Sequence, residues 1–156
     1  MHMATHKGSC GFTLIELVVA IAVIGILTII AMSSYQSSVM HSRRTDAKTA
    51  LNDLAAREQR YFSVTNSYTA NPEALGYSGS STAFGSTFLI GSGYYYLNVT
   101  NVTAASAGTP ASFVATATAV PGSSQARDTG CTTFSVDSLG NYTPTASAAV
   151  SPPCWP

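Results

Sequence analysis

Phe12-Thr13-Leu14-Ile15-Glu16-Leu17-Val18-Val19-Ala20-Ile21, continuing without a break to Ile29-Ile30-Ala31-Met32, decides the architecture of this chain of 156 residues. Glu16 is the single ionisable side chain in the run. As a helix rising 1.5 Å per residue the run spans roughly 30 Å, the thickness of a bilayer's hydrocarbon core. An ordinary secretory signal has an apolar core of about 7 to 15 residues followed by a small-residue cleavage site, so this segment is too long for one. Working outward, 46% of the chain is apolar and only 9% charged, an imbalance that the run itself explains. Without it, one small polar domain rich in Ser, Thr, Ala and Gly is left, which excludes a multidomain enzyme and leaves little room for a catalytic cleft.

Charge and residue inventory narrow the function further. Seven Lys and Arg balance seven Asp and Glu, so net charge steers the chain toward neither nucleic acid nor lipid. The histidines are His2, His6 and His41. None lies in the C-terminal hundred residues, so a distal site there has no imidazole for a Ser/His/Asp or Cys/His arrangement or for a histidine metal centre. Gly91-Ser92-Gly93 lacks the third glycine and following helix of a phosphate loop and reads as a turn. The chain is expected to be no enzyme and to carry neither cofactor nor metal.

Gly11-Phe12-Thr13-Leu14-Ile15-Glu16 resembles the processing site of type IV pilins and of type II secretion pseudopilins. That family has a short leader ending in glycine, then phenylalanine, then an apolar helix with glutamate as the fifth mature residue. The resemblance implies a leader at 1–11, cleaved between Gly11 and Phe12 by prepilin peptidase, and methylation of the Phe12 nitrogen. It also implies a role for Glu16. A buried acidic residue in lipid costs about 2.5–3.5 kcal/mol at mid-span, less near the end. The new Phe12 α-amine, largely protonated at neutral pH, would offset this within one chain or between neighbouring subunits, and the resemblance favours the latter as an assembly contact. The family often carries a proline near the end of the membrane half; Ser33 and Ser34 stand there instead, and Gly25 is the remaining weak point.

Beyond Met32, Ala47, Ala50, Leu51, Leu54, Ala55, Tyr61 and Phe62 recur at helical spacing. The helix is expected to run from Phe12 to about Tyr61, roughly 75 Å, with its first half protruding from a head. Residues 12–39 form the transmembrane or filament-core segment and 40–156 the head. Arg43, Arg44, Lys48, Arg57 and Arg60 against Asp46, Asp53 and Glu58 read as a solvated face, with Arg43 and Arg44 also placed to meet lipid phosphate. Lys7 argues for a cytoplasmic N-terminus before export to the filament.

Turn formers at Asn71-Pro72 and the Gly/Ser-rich 76–86 precede strand-like runs Tyr94–Val102, Ser112–Val120 and Thr132–Val136, and Ser138-Leu139-Gly140-Asn141 supplies a hairpin turn before Tyr142. The alternation from Phe113 to Ala119 offers a small-residue face to the helix through Ala47, Ala50 and Leu54. The fold class is α+β, a long helix on a small antiparallel sheet. Asn98-Val99-Thr100, Asn101-Val102-Thr103 and Asn141-Tyr142-Thr143 match the glycosylation triplet, a pattern frequent by chance.

Leader removal takes Cys10 and leaves Cys131 and Cys154, which favours a disulfide worth about 3 kcal/mol in the loop-entropy view. The ending Cys154-Trp155, with Cys131-Thr132-Thr133-Phe134 and Asp137-Ser138-Leu139-Gly140, resembles the disulfide-bonded region of type IV pilins, including minor pilins of the DNA-uptake-receptor group. The resemblance implies a type IVa pilus subunit, major or minor, whose partners are other pilins, prepilin peptidase, the inner-membrane assembly machinery and, before assembly, lipid. The fibre would serve adhesion, twitching motility or DNA uptake. A type II secretion pseudopilin and a DNA-receptor pilin are the alternatives. The sparse acids, Asp128 and Asp137, argue against the calcium loop of the major pseudopilin, and Arg127 as the one basic residue after Arg60 argues against DNA binding by the head.

Overall fold

A computed structural model describes residues 12–78, 83–144 and 154–155. The expected leader with Lys7 and Cys10, and Gly11 of the cleavage site, lie outside the described residues. The chain divides into two compact units, one ending at Ser38 and the other beginning at Val39.

Helix α1 covers Leu14–Thr65. It opens where Thr13 Oγ1 accepts the Glu16 backbone N–H at 3.3 Å, a capping interaction of the Thr-x-x-Glu kind, with the acidic side chain in the turn where the helix dipole favours it. It continues through Gly25 and the Ser33-Ser34 pair, and closes at Asn66, whose φ of 53° and N–H to the Phe62 carbonyl at 2.8 Å make a left-handed cap in which asparagine stands in for glycine.

The second unit holds a five-stranded antiparallel meander in the order β1 to β5: β1 Leu89–Ile90, β2 Tyr95–Thr103, β3 Ser112–Ala119, β4 Thr133–Asp137 and β5 Tyr142–Pro144. Register sets Leu97 opposite Ala117 and Val99 opposite Ala115, and Ala117 opposite Phe134. Tyr95, Leu97, Val99, Phe113, Ala115, Ala117, Phe134 and Val136 are all buried, and one core joins them to Ala47, Leu51 and Leu54 of α1. The alanines of β3 leave the helix room to lie close, as the alternation implied, with Leu51 rather than the half-buried Ala50 in the centre. At the β4–β5 turn the Asp137 carboxylate accepts the N–H groups of Leu139 and Asn141, both at 2.9 Å, while Gly140 takes the positive φ of 80°. The Asn141 side-chain amide and these backbone donors hold the Asp137 carboxyl below its ordinary range.

The solvated charged face expected on α1 is corrected at two positions. Arg44 and Glu58 are buried, because the stripe Ala47, Leu51, Leu54 prolonged by three or four residues in each direction ends on them. Arg44 reaches Asp128 through Nε and Nη2, each at 2.7 Å, and Gln125 Nε2 donates to the same carboxylate at 3.0 Å. This pair fastens the β3–β4 connection to α1. Arg43 donates to Ser124 Oγ at 2.6 Å and lies 3.4 Å over the Tyr94 ring. Both arginines are thus engaged within the second unit rather than directed to lipid phosphate.

Glu58 is fully buried. Its Oε2 accepts the Thr69 N–H at 3.2 Å and its Oε1 has no partner among the described residues. Burial pushes its pKa up to about 7, against a small opposing effect of the Thr69 hydrogen bond. Because the folded pKa is the higher one, the folded state holds a proton that the unfolded chain releases. The penalty is absent below about pH 4.5, grows toward pH 7 and is complete above it. Glu58→Gln should therefore stabilise the head by about 2 kcal/mol at pH 8 and by almost nothing at pH 4.5. Urea unfolding at the two pH values, followed by the emission of the single tryptophan, checks this; an equal change at both would remove the proton from the explanation.

Candidate functional site

The first candidate surface is the start of α1. Phe12, two residues before the helix, is 84% exposed, and Leu14, Ile15, Leu17, Ile21, Ile24, Ile29 and Ile30 are exposed as well. The helix contains a window long and apolar enough to cross a membrane, none of it buried. Thr28 Oγ1 donates to the Ile24 carbonyl at 2.8 Å, so the hydroxyl is satisfied within the helix and adds no need for a polar partner. No side chain approaches the position of a Cβ on Gly25. Among the described residues the Glu16 carboxylate has no ion-pair partner, and its backbone N–H is held by Thr13. Phe12 and Glu16 therefore lie about one helical turn apart on an uncovered apolar surface. Sequence reasoning brought these two together, but it missed that Thr13 caps the turn carrying Glu16.

The second candidate surface lies in the other unit, around the disulfide. Cys131 and Cys154 are bonded, with Cα atoms 5.5 Å apart and a sequence separation of 23. The bridge fixes Trp155, whose ring meets Phe134 edge-on at 5.5 Å and leans over Tyr142 at 4.3 Å. Lys48 Nζ stands 5.6 Å from the Trp155 ring, and Tyr142 donates its hydroxyl to Asn52 Oδ1 at 3.0 Å. Lys48, Asn52, Gly140, Asn141, Tyr142 and Trp155 line a groove of about 580 Å3. Burial, followed by the nearby Arg44 charge, lowers the Lys48 pKa from its ordinary value. Nothing in the sequence joined Lys48 and Asn52 to Tyr142 and Trp155; only their spacing along one helix face hinted that they share a side.

The cations of this unit are unevenly occupied. Arg44 is neutralised by Asp128, and Arg57 by Asp53 at 2.8 Å. Arg57 also donates to the carbonyls of Leu75 and Gly76 and covers the Tyr77 ring, which ties the segment after α1 back onto the helix. Arg60 and Arg127 are exposed. Among the described residues no group of three or more His, Cys, Asp or Glu could hold a metal ion. The two surfaces offer apolar contact, one carboxylate and a polar groove, with no arrangement of nucleophile, base and oxyanion donors.

Two family models match the chain. Residues 33–135 match the family described as type IV minor pilin ComP, DNA uptake sequence receptor, and residues 6–32 match the prokaryotic N-terminal methylation motif. Among curated proteins, the type IV major pilin protein PilA of Myxococcus xanthus is 36% identical over 67 residues, 43% of this chain and 30% of the relative. The fimbrial protein EcpC of Eikenella corrodens is 38% identical over 66 residues, 42% of this chain and 43% of the relative. The type IV wide pilus major component PilA4 of Thermus thermophilus is 35% identical over 69 residues, 44% of this chain and 53% of the relative. The matches thus span roughly a third to a half of these relatives' lengths. A helix packed on an antiparallel sheet, a disulfide near the C-terminus, the methylation motif and a family match covering most of the head agree: this chain is a structural, non-enzymatic subunit and belongs to the type IV pilin family.

Proposed function

We propose that this protein is a type IV pilus subunit that waits in the inner membrane and is then built into a surface filament through its first helix. The observation that carries the reading is the apolar surface from Phe12 to Met32, which is exposed among the described residues. Residues 1–11 serve as the leader, 12–39 as the membrane and filament-core segment, and 40–156 as the head. Prepilin peptidase cuts between Gly11 and Phe12 and the Phe12 nitrogen is methylated. The N-terminus faces the cytoplasm before assembly and the head faces outward. The surface that lipid covers in the precursor is covered in the fibre by the helices of other subunits, so burial against protein replaces burial in hydrocarbon.

Pairing between subunits gives Glu16 a task. The Phe12 ammonium of one subunit and the Glu16 carboxylate of a neighbour cancel two charges that would otherwise lie unpaired in an apolar core. Prepilin peptidase, the inner-membrane assembly machinery and other pilins are the partners. Adhesion, twitching motility and DNA uptake are properties of the fibre and its motors that such a subunit supports. Intact-mass measurement of the protein from sheared surface filaments should find residues 1–11 absent and one methyl group added to the new N-terminus. Retention of Lys7 in the filament form would end this reading.

A second reading, capture of DNA by the head, rests on the description of the family model that matches residues 33–135. Its physical requirement is a set of cations free to meet phosphates. Arg44 and Arg57 are already paired, Arg43 is held by Ser124 and Tyr94, and Lys48, Arg60 and Arg127 remain. With so few, binding is expected to be weak, indifferent to sequence and lost at physiological salt. A gel-shift titration giving tight, sequence-dependent complexes at that salt would move DNA capture to first place.

A further inference from the structure

Glu58 is a buried acid that assembly through the first helix does not use, and the chain after α1 is laid over it. Residues 66–77 return along the helix and are fastened on either side of that carboxyl. On one side Tyr68 stacks on Phe62 at 4.7 Å and meets Phe113 edge-on at 4.8 Å, and the Thr69 N–H donates to Glu58 Oε2 at 3.2 Å. On the other, Arg57 Nη1 donates to the carbonyls of Leu75 and Gly76 at 3.0 and 3.2 Å, and Tyr77 donates its hydroxyl to Asp53 Oδ2 at 3.1 Å. Pro72 and Leu75 lie buried between the two fastenings. Among the described residues no cation pairs with Glu58. Its neighbour Arg57 is turned to Asp53, and Glu58 Oε1 has no hydrogen-bond partner.

We propose that residues 66–77 form a proton-operated flap, closed over a neutral Glu58 and opened locally when that carboxyl ionises. A neutral carboxyl is tolerated in an apolar seat, whereas a carboxylate with one hydrogen bond and no counter-ion is not. Its charge reaches water either when the whole head unfolds or when the cover alone lifts. Lifting the cover requires less, because a few polar ties and two buried side chains hold it, while α1 is locked into the core through Ala47, Leu51 and Leu54. Burial brings the titration of the closed form to about pH 7, with the Thr69 hydrogen bond opposing it. The closed form is therefore favoured below that pH and loses ground as pH rises through it. The other groups around the flap keep their charge. Burial, then Asp53, holds the Tyr77 phenol above its ordinary range, Tyr68 turns its hydroxyl to Gln59, and Arg57 and Asp53 hold each other. From the sheet, Tyr95 answers to Gln125, Asp128 and Arg44 rather than to Glu58. Opening parts Tyr68 from Phe62 and Phe113 and uncovers apolar core, so the head presents one surface in mildly acidic and another in mildly alkaline surroundings. The device lies within the second unit and does not depend on the first helix entering a filament.

The experiment is hydrogen exchange of the full chain in detergent micelles at pH 5 and pH 8, read by mass spectrometry and expressed as protection relative to intrinsic exchange at each pH. Amides of residues 66–77 should lose protection about tenfold or more between the two. They should do so through an opening that is faster than exchange of the β3 amides and insensitive to low urea, as a local event must be. Glu58→Gln should abolish the loss and keep the flap closed at pH 8, and Glu58→Leu, which also removes the charge, serves as a second variant should the first fail to fold. Asp53→Asn weakens the tie to Arg57 and Tyr77 but keeps the carboxyl at 58, so it should lower protection at both pH values and preserve the difference between them. Thermal unfolding at each pH shows that a variant is folded. Flap protection equal at pH 5 and pH 8, a loss shared equally by the β3 amides, or a loss that persists in folded Glu58→Gln or Glu58→Leu would each overturn the proposal, the second by making the opening global.

Discussion

An apolar helical surface left exposed among the described residues is the constraint from which the rest of this structure follows. At roughly 25 cal/mol per Å2 of apolar area removed from water, side chains such as Leu14, Ile15, Leu17 and Ile21 cannot remain in solvent. They must lie in lipid or against other protein, and a subunit that moves from membrane to filament does each in turn. Glu16 is the one group that resists both environments. Its position in the first turn, under the cap made by Thr13, places it where the helix dipole favours a negative charge and beside the amine that cleavage before Phe12 would create.

The remaining residues answer a different demand, which is to keep a small head folded with a thin core. Three alanines of β3 set the distance between helix and sheet. The Cys131–Cys154 bridge closes the end of the chain onto that sheet and brings Trp155 against Phe134. Polar contacts fasten the segments that apolar burial does not reach: Arg44 to Asp128 secures the β3–β4 connection, and Arg57 with Glu58 secures the chain after α1. Breaking the buried Arg44–Asp128 pair at one partner leaves an uncompensated charge, so that contact constrains the head more strongly than its net contribution to stability implies.

Much of this is legible in the residues because the signals are local. The length of the apolar run, the alternation from Phe113 to Ala119 and the turn at Ser138–Asn141 each depend on near neighbours in the chain. Leu89–Ile90 is invisible because two residues are too short to carry a period. Arg44 and Glu58 were concealed differently. Charge argues for solvent, and only the three-and-four spacing of Ala47, Leu51 and Leu54, carried past its apolar members, sets them on the buried face. The partnership of Arg44 with Asp128 and the groove formed by Lys48, Asn52, Tyr142 and Trp155 depend on tertiary contact between distant segments, for which the sequence holds no periodic signal.

The central claim is that Glu16 serves assembly rather than anchoring, and its most direct measurement is the distribution of tagged Glu16→Val protein between membrane and sheared filaments. Valine removes the only charge in the run, so insertion in the membrane is kept or strengthened. In the filament the same change leaves the Phe12 ammonium of a docking subunit without its partner, at a cost of about 3–5 kcal/mol. Scoring the variant itself, rather than total filament yield, keeps the result meaningful where another subunit forms most of the fibre. The account predicts variant protein that accumulates, cleaved, in the membrane and is depleted from filaments; incorporation equal to that of the wild-type chain would contradict it.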